Sequence, residues 1–394
     1  MKKTLAALAV LSAFAGSALA ADVTLYGRAD LGLRYSHVDG DQANKDAVDT
    51  FEMASGNYSG SRFGLKGTEE LGNGLKVGFV LENGFNADDG SLKTNGKLFD
   101  REAIIRVMGN FGELGFGRTS ILSNDANTYG IGSYFSALGT GWGDVGGQDA
   151  VWGAGYASRM DNVITYVTPE FAGVKVYAQY SFGANTYKDD DKLTREEGKT
   201  TTDRYYGLGM TYDAGNLALA AIVDSTNRST AHKAGEAQDV KDAVRVIVGG
   251  SYDLGAVKPY VSAAYFKDGG VNDVGDMLAQ HSIDSTATIA DAGKKCYFDG
   301  YGVVLGAKVP AFGGAFYGNV GYLDADSDSN ALSSKIEKIE VKRWFAGIGY
   351  DYSLSKRTTV YADLGYAQDK WEQGKTLDAK PSMFQGAVGL MHSF

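Results

Sequence analysis

Apolar and polar residues alternate with a period of two over long stretches of this chain, the spacing that puts successive side chains on opposite faces of a β-strand. Between Val23 and Tyr35 the odd positions carry Val23, Leu25, Gly27, Ala29, Leu31, Leu33 and Tyr35, and the even positions carry Thr24, Tyr26, Arg28, Asp30, Gly32 and Arg34. The same alternation recurs around Val174–Ser181, Val244–Tyr252, Arg343–Tyr352 and Thr359–Tyr366. One face of each segment suits lipid and the other suits water. No stretch after residue 20 is long and apolar enough for a transmembrane helix.

The connections between these segments alternate in kind. Short ones, rich in Gly, Asp, Pro or Ser, fall at 71–75, 109–112, 169–173, 213–216, 253–256, 310–314 and 353–357, all tight-turn compositions. Long polar ones fall at about 36–60, 84–98, 119–158, 182–202, 225–241, 267–297, 323–341 and 367–382. Seven short and eight long connections separate sixteen strands. Short turns on one rim and long loops on the other are the pattern of a transmembrane antiparallel β-barrel, whereas a sandwich would hide its apolar faces against each other. Aromatics support this reading. Tyr35, Tyr180, Tyr265, Tyr301, Tyr322 and Tyr366 stand on the apolar face at the long-loop ends, and Tyr212, Tyr252, Tyr350, Tyr352 and Phe394 at the short-turn ends. Two such belts mark the two membrane–water boundaries.

Composition sharpens the picture. The 394 residues hold 54 Gly, 24 Tyr and 18 Phe but only 4 Pro, in keeping with many paired strands. Residues 1–20 have a positive start, an apolar middle and Ala18-Leu19-Ala20, the form of a cleaved export signal that leaves 21–394 as the barrel. The single cysteine, Cys296, allows no internal disulfide. A net charge of −10 argues against nucleic acid as a partner.

Four segments carry a family resemblance: Val23-Thr-Leu-Tyr-Gly-Arg28, Ser61-Arg-Phe-Gly-Leu-Lys-Gly-Thr-Glu-Glu-Leu-Gly-Asn-Gly-Leu75, Leu354-Ser-Lys-Arg-Thr358 and Val388-Gly-Leu-Met-His-Ser-Phe394. With them the chain resembles the trimeric general porins of Gram-negative outer membranes. The resemblance implies a sixteen-stranded barrel, a homotrimer set in outer-membrane lipid and lipopolysaccharide, and passive transport of ions and small hydrophilic solutes. It implies a third loop folded into the lumen as a constriction, here about 119–158. It also implies that the C-terminal strand, ending in Phe394, is read by the barrel-assembly machinery.

A barrel of this size leaves a water-filled channel. By strand parity eleven basic residues point inward (Arg28, Arg34, Arg62, Lys66, Lys76, Arg106, Lys175, Arg245, Lys258, Lys308 and Arg343) against five acidic ones (Asp30, Glu82, Glu102, Asp224 and Asp363). Arg28, Arg62, Lys66 and Arg106 lie on strands that neighbour one another early in the barrel and are expected to form one basic wall. The resemblance implies that such a wall stands at the constriction and faces acids of the third loop, here drawn from Asp125, Asp144 and Asp149. Arg34, Glu102, Arg245 and Arg343 are expected to line the rest of the pore. This tally predicts a modest anion preference.

Other chemistry is weakly supported. Gly112–Thr119 lacks the Lys of a phosphate-binding loop, Asp324–Asn330 lacks the Gly and Glu of a calcium loop, and no two of the four histidines have metal-ligand spacing. No catalytic residue, cofactor or metal is therefore expected. A channel specific for a sugar or an organic anion is the alternative to general diffusion. Sugar channels often line the lumen with a row of aromatics, but Tyr26, Tyr177, Tyr205, Tyr260 and Tyr361, which point inward by parity, are scattered around the barrel, which favours general diffusion.

Overall fold

In the computed structural model, residues 23–41, 46–139, 147–152, 158–184, 197, 202–228, 242–270, 298–327, 338–375 and 377–394 are described. The expected signal 1–20, Asp144 and Cys296 lie outside them, and of Asp149 only the backbone is described.

Eighteen strands form one antiparallel sheet: β1 Thr24–Asp39, β2 Val48–Ser55, β3 Arg62–Gly72, β4 Leu75–Gly84, β5 Glu102–Gly109, β6 Gly112–Ser120, β7 Arg159–Val167, β8 Val174–Ser181, β9 Arg204–Ala214, β10 Leu217–Asn227, β11 Ala243–Tyr252, β12 Lys258–Gly269, β13 Phe298–Ala311, β14 Gly314–Ser327, β15 Glu340–Ser353, β16 Thr358–Gln373, β17 Leu377–Ala379 and β18 Ser382–Ser393. They make sixteen crossings. β2 and β3 pair with the two halves of β1, so they are one strand interrupted at 56–61. β17 and β18 both pair with β16 and are one strand interrupted before Pro381. β1 pairs with β18 and closes the barrel, where Gly27 and Phe394 exchange backbone hydrogen bonds of 3.1 and 3.0 Å. Closure leaves no edge strand to be satisfied in lipid.

The seven short turns lie where the spacing puts them, and the apolar parity faces outward. Leu208, Val261, Leu305 and Leu364 each keep more than half of their surface exposed, as lipid-facing residues should. Trp344 and Tyr366 pack their rings 5.0 Å apart at the loop-side belt.

The expected long-loop boundaries change on one side of the barrel: β1 runs to Asp39 and β2, Val48–Ser55, lies wholly within the connection expected at about 36–60. β14, β15 and β16 run on past the belt into what the alternation marks as loop. There the parity inverts. Asp324, Lys342 and Lys370 lie in register on the outer face, with Lys338–Asp326 and Lys370–Glu372 ion pairs of 3.0 and 2.8 Å beside them. Phe298, Leu323, Val341 and Trp371 are buried inside, with Phe298 and Trp371 edge to face at 6.0 Å. Beyond the bilayer the outer face meets water, so charge moves out and apolar side chains move in.

Candidate functional site

The segment after β6 decides the shape of the interior. Residues 121–139 and 147–152 carry Ile121, Leu122, Ile131, Phe135, Leu138, Val151 and Trp152, all buried. In a connection on an aqueous lumen these would be exposed, so they need an apolar surface to cover. Leu122, Ile131, Phe135, Val151 and Trp152 find it on the inner faces of β10, β11, β13 and β15, where Ile222, Ile247, Val304 and Phe345 join the same cluster, while Ile121 packs with Met160, Val163 and Tyr205.

Polar contacts fix the path. The Tyr134 hydroxyl donates to Asp213 on β9 at 2.7 Å. Asn319 on β14 donates to the Ser136 hydroxyl at 2.6 Å. Two buried arginines hold the ends. Arg245 grips Asp224 through two hydrogen bonds of 3.1 and 2.6 Å and donates to Ser123 at 2.9 Å. Arg343 grips Asp369 at 2.7 and 2.8 Å and donates to the Ala150 carbonyl at 2.8 Å. Arg245 and Arg343 were expected to line the pore. They do face inward, but the segment covers them, and each is about one-twentieth exposed. Gly302 on β13 lets the segment approach: a Cβ there would strike the Val151 carbonyl. Gly302→Val is therefore expected to push residues 148–151 off the wall while leaving the barrel closed. Faster proteolysis of this segment, with an unchanged β-sheet circular dichroism spectrum, checks this.

The start of the segment lies against the opposite side of the interior. The Thr128 N–H and hydroxyl both donate to Glu102, at 3.1 and 3.0 Å, as does Thr119 at 2.7 Å. Glu102 is thus buried as a clasp for the segment rather than standing in the lumen. The Tyr129 hydroxyl donates to Glu113 at 2.8 Å. Burial, and next the Glu113 carboxylate, push this phenol above its ordinary range, so it stays a donor.

Beside this start lies a row of arginines. Arg28 on β1 and Arg62 on β3 both donate to the Ser59 hydroxyl, at 2.9 and 3.0 Å. Ser59 sits in the break between β2 and β3, and buried Asp30 holds that break by accepting the N–H groups of Tyr58 and Ser59 at 2.9 and 2.6 Å. Arg101, just before β5, donates to Glu82 at 2.6 Å, and Arg62 lies 3.9 Å from the same carboxylate. Arg118 on β6 pairs with Asp161 at 2.6 Å, an acid it shares with Lys97. Arg159, opening β7, donates to Asn127 of the crossing segment at 3.0 Å. Arg62 lies within electrostatic reach of Arg101, Arg28 and Arg159, and of the Glu82 carboxylate that offsets them. Arg28 and Arg159 form no ion pair among the described residues.

The four residues expected to form the wall divide. Arg28 and Arg62 come together. Lys66 stands over the Tyr26 ring, 5.1 Å from its centre. Arg106 is set apart: it pairs with Gly78 while Arg62 pairs with Gly84, six residues along β4 or ~20 Å at 3.3–3.4 Å per residue. It is locked to Glu113 at 2.5 and 2.7 Å. Arg34 is paired with Glu52 on β2 at 3.0 and 2.7 Å. Asp125 is exposed on the crossing segment beside Gly139. Arg101, Arg118 and Arg159 escape the parity rule. Arg101 belongs to a connection, Arg159 adjoins the longest one, and the β6–β7 register shifts between Gly117 and Thr119. A basic residue beside Gly117 was the available signal for a bulge that re-aims Arg118.

Comparison with known proteins agrees with the barrel fold. A family model described as Gram-negative porin matches residues 7–371. Over the full length of both chains, the sequence is 35% identical to an outer membrane porin protein of Bordetella pertussis. It is 31% identical, again over both full lengths, to outer membrane porin protein 32 of Delftia acidovorans. An anion-selective porin from Comamonas acidovorans has a similar structure, with a TM-score of 0.66 and 26% identity, covering 95% of this chain and 100% of that one. A loop-deletion mutant of an outer membrane protein of Vibrio cholerae, 18% identical with a TM-score of 0.58 over 95% of this chain and 99% of that one, shares the fold.

Proposed function

The chain belongs to the Gram-negative porin family, and on that premise we propose that its arginine row gives an outer-membrane diffusion channel a preference for anions. That it is a porin of the outer membrane follows from the family and the barrel. The family and fold are those of channel proteins, and we assign no catalytic residue. The observation that carries the preference is the row itself. Arg28, Arg62, Arg101, Arg118 and Arg159 gather on neighbouring parts of one wall, and two of them have no carboxylate partner among the described residues.

The crossing segment, the third long loop, is the constriction in this reading. Its apolar residues fill one side of the interior and leave the solute path beside the arginines. Guanidinium groups held there by Ser59, Glu82 and Asn127 need no reorganisation when a solute passes. An anion exchanges part of its hydration shell for these donors, while a cation meets repulsion. The acidic loops act over a Debye length of about 8–10 Å at ordinary ionic strength, so they tune entry more than the narrowest point. Solutes are otherwise sorted by size and charge, as general diffusion requires.

The rest of the proposal follows the family. Residues 1–20 are removed on export, the exposed outer face that ends at Phe394 is read during assembly, and three copies associate within lipid and lipopolysaccharide. In planar bilayers the purified protein is expected to insert in steps of ohmic current and to close in three equal sublevels. Absence of any conductance overturns the channel, and closure in a single level overturns the trimer.

A further inference from the structure

Away from the arginine row, we propose a second anion site in the lumen near the short-turn rim: Lys258 and Lys308, flanked by Tyr260 and Tyr317, bind one small doubly charged anion. Lys258 opens β12, directly after the short turn that follows β11, and Lys308 lies three residues before the end of β13. The two lysines are directly opposed in the β12–β13 register, on the parity that faces the lumen. Like charges at directly opposed positions, with Cβ atoms about 4.5–5.5 Å apart, destabilise a sheet. Neither lysine has an ion pair or hydrogen bond with a described residue, and each ammonium instead stands over a tyrosine ring, 5.4 Å from Tyr260 and 5.0 Å from Tyr317.

The contrast with other lysines of the same rim is direct. Lys76 is paired with Glu70, and Lys175 lies 3.0 Å from Glu170. The carboxylates around the unpaired lysines have other partners. Asp351 accepts the hydroxyls of Tyr58 and Tyr317 at 2.9 and 3.2 Å, and Asp253 accepts the Gly255 N–H at 2.8 Å. The two side chains leave directly opposed backbone positions and lie over rings on β12 and β14, partly exposed to the lumen, so one solute with two negative charges can draw both ammonium groups to itself. A short dicarboxylate or a doubly charged oxyanion has that chemistry. A solute with one carboxylate satisfies only one lysine.

The test uses the intact channel in a planar bilayer in KCl, with sodium succinate, sodium sulfate or sodium acetate added to either side. Succinate and sulfate are expected to reduce the chloride current to a saturating level, at lower concentration than acetate. In K258Q/K308Q the half-blocking concentration of succinate is expected to rise roughly tenfold, the loss of about one charge-assisted hydrogen bond. K258R/K308R, which keeps both charges, should retain the block and shows that the rim tolerates substitution. An unchanged half-blocking concentration in K258Q/K308Q overturns the site, and equal block by acetate overturns its two-charge match. The reversal potential in KCl alone reads the arginine row, so failure here is distinguishable from failure of the anion preference.

Discussion

Asp369→Ala is expected to cost about 3–5 kcal/mol, because it leaves the Arg343 guanidinium buried without its counter-charge. Asp369 is fully buried, receives both arms of Arg343, and also accepts the Trp371 indole N–H at 3.1 Å. The temperature at which the barrel loses its compact mobility in a detergent gel should fall markedly. Single-channel current should become noisy, since the same arginine holds the Ala150 carbonyl at one end of the crossing segment. The double variant Arg343→Met/Asp369→Leu separates the two effects. Replacing both partners of a buried ion pair by apolar residues is often neutral or stabilising, so the melting temperature should recover. The noise should remain, because the single variant leaves the Ala150 donor unclamped and the double variant removes it. A single variant as stable and as quiet as the parent would show that the clamp does not position the segment.

Removing the two arginines without carboxylate partners should have the largest effect on selectivity. A unit charge ~8 Å from a passing ion is worth about 0.5 kcal/mol in water and about 2 kcal/mol at an effective dielectric of 20. Arg28→Gln with Arg159→Gln is therefore expected to lower the chloride-to-potassium permeability ratio by roughly twofold or more. Arg106→Gln should change it far less, because Arg106 is neutralised by Glu113 and lies well along β4 from Arg62. Equal effects at these positions would mean that total lumen charge, rather than the row, sets the preference.

Much of this architecture is legible in the residues. Period-two alternation locates the strands, and Gly-rich turns such as Leu71–Leu75 locate one rim to within a residue or two. What parity cannot carry is a change of environment along a strand. Beyond the belt at Trp344 and Tyr366 the outer face turns charged and the inner face apolar, so Leu323, Val341 and Trp371 read as loop while they are strand. Within the site, parity assigns Arg28 and Arg62 to the lumen, and they do meet there through Ser59. It gives equal weight to Arg245 and Arg343, which the crossing segment covers. The path of that segment depends on distant partners, from Ser123 with β11 to Ala150 with β15, and no local pattern encodes it. Arg118 is missed for a different reason, because one residue of bulge beside Gly117 reverses which face follows.

The central claim is that a wall of arginines beside the third loop makes this acidic protein an anion-preferring channel. The zero-current potential of the parent protein across a KCl gradient tests it most directly. With the arginine row in control the potential takes the sign set by chloride, and in the Arg28→Gln/Arg159→Gln variant it moves toward zero. A parent potential with the sign set by potassium would contradict the account.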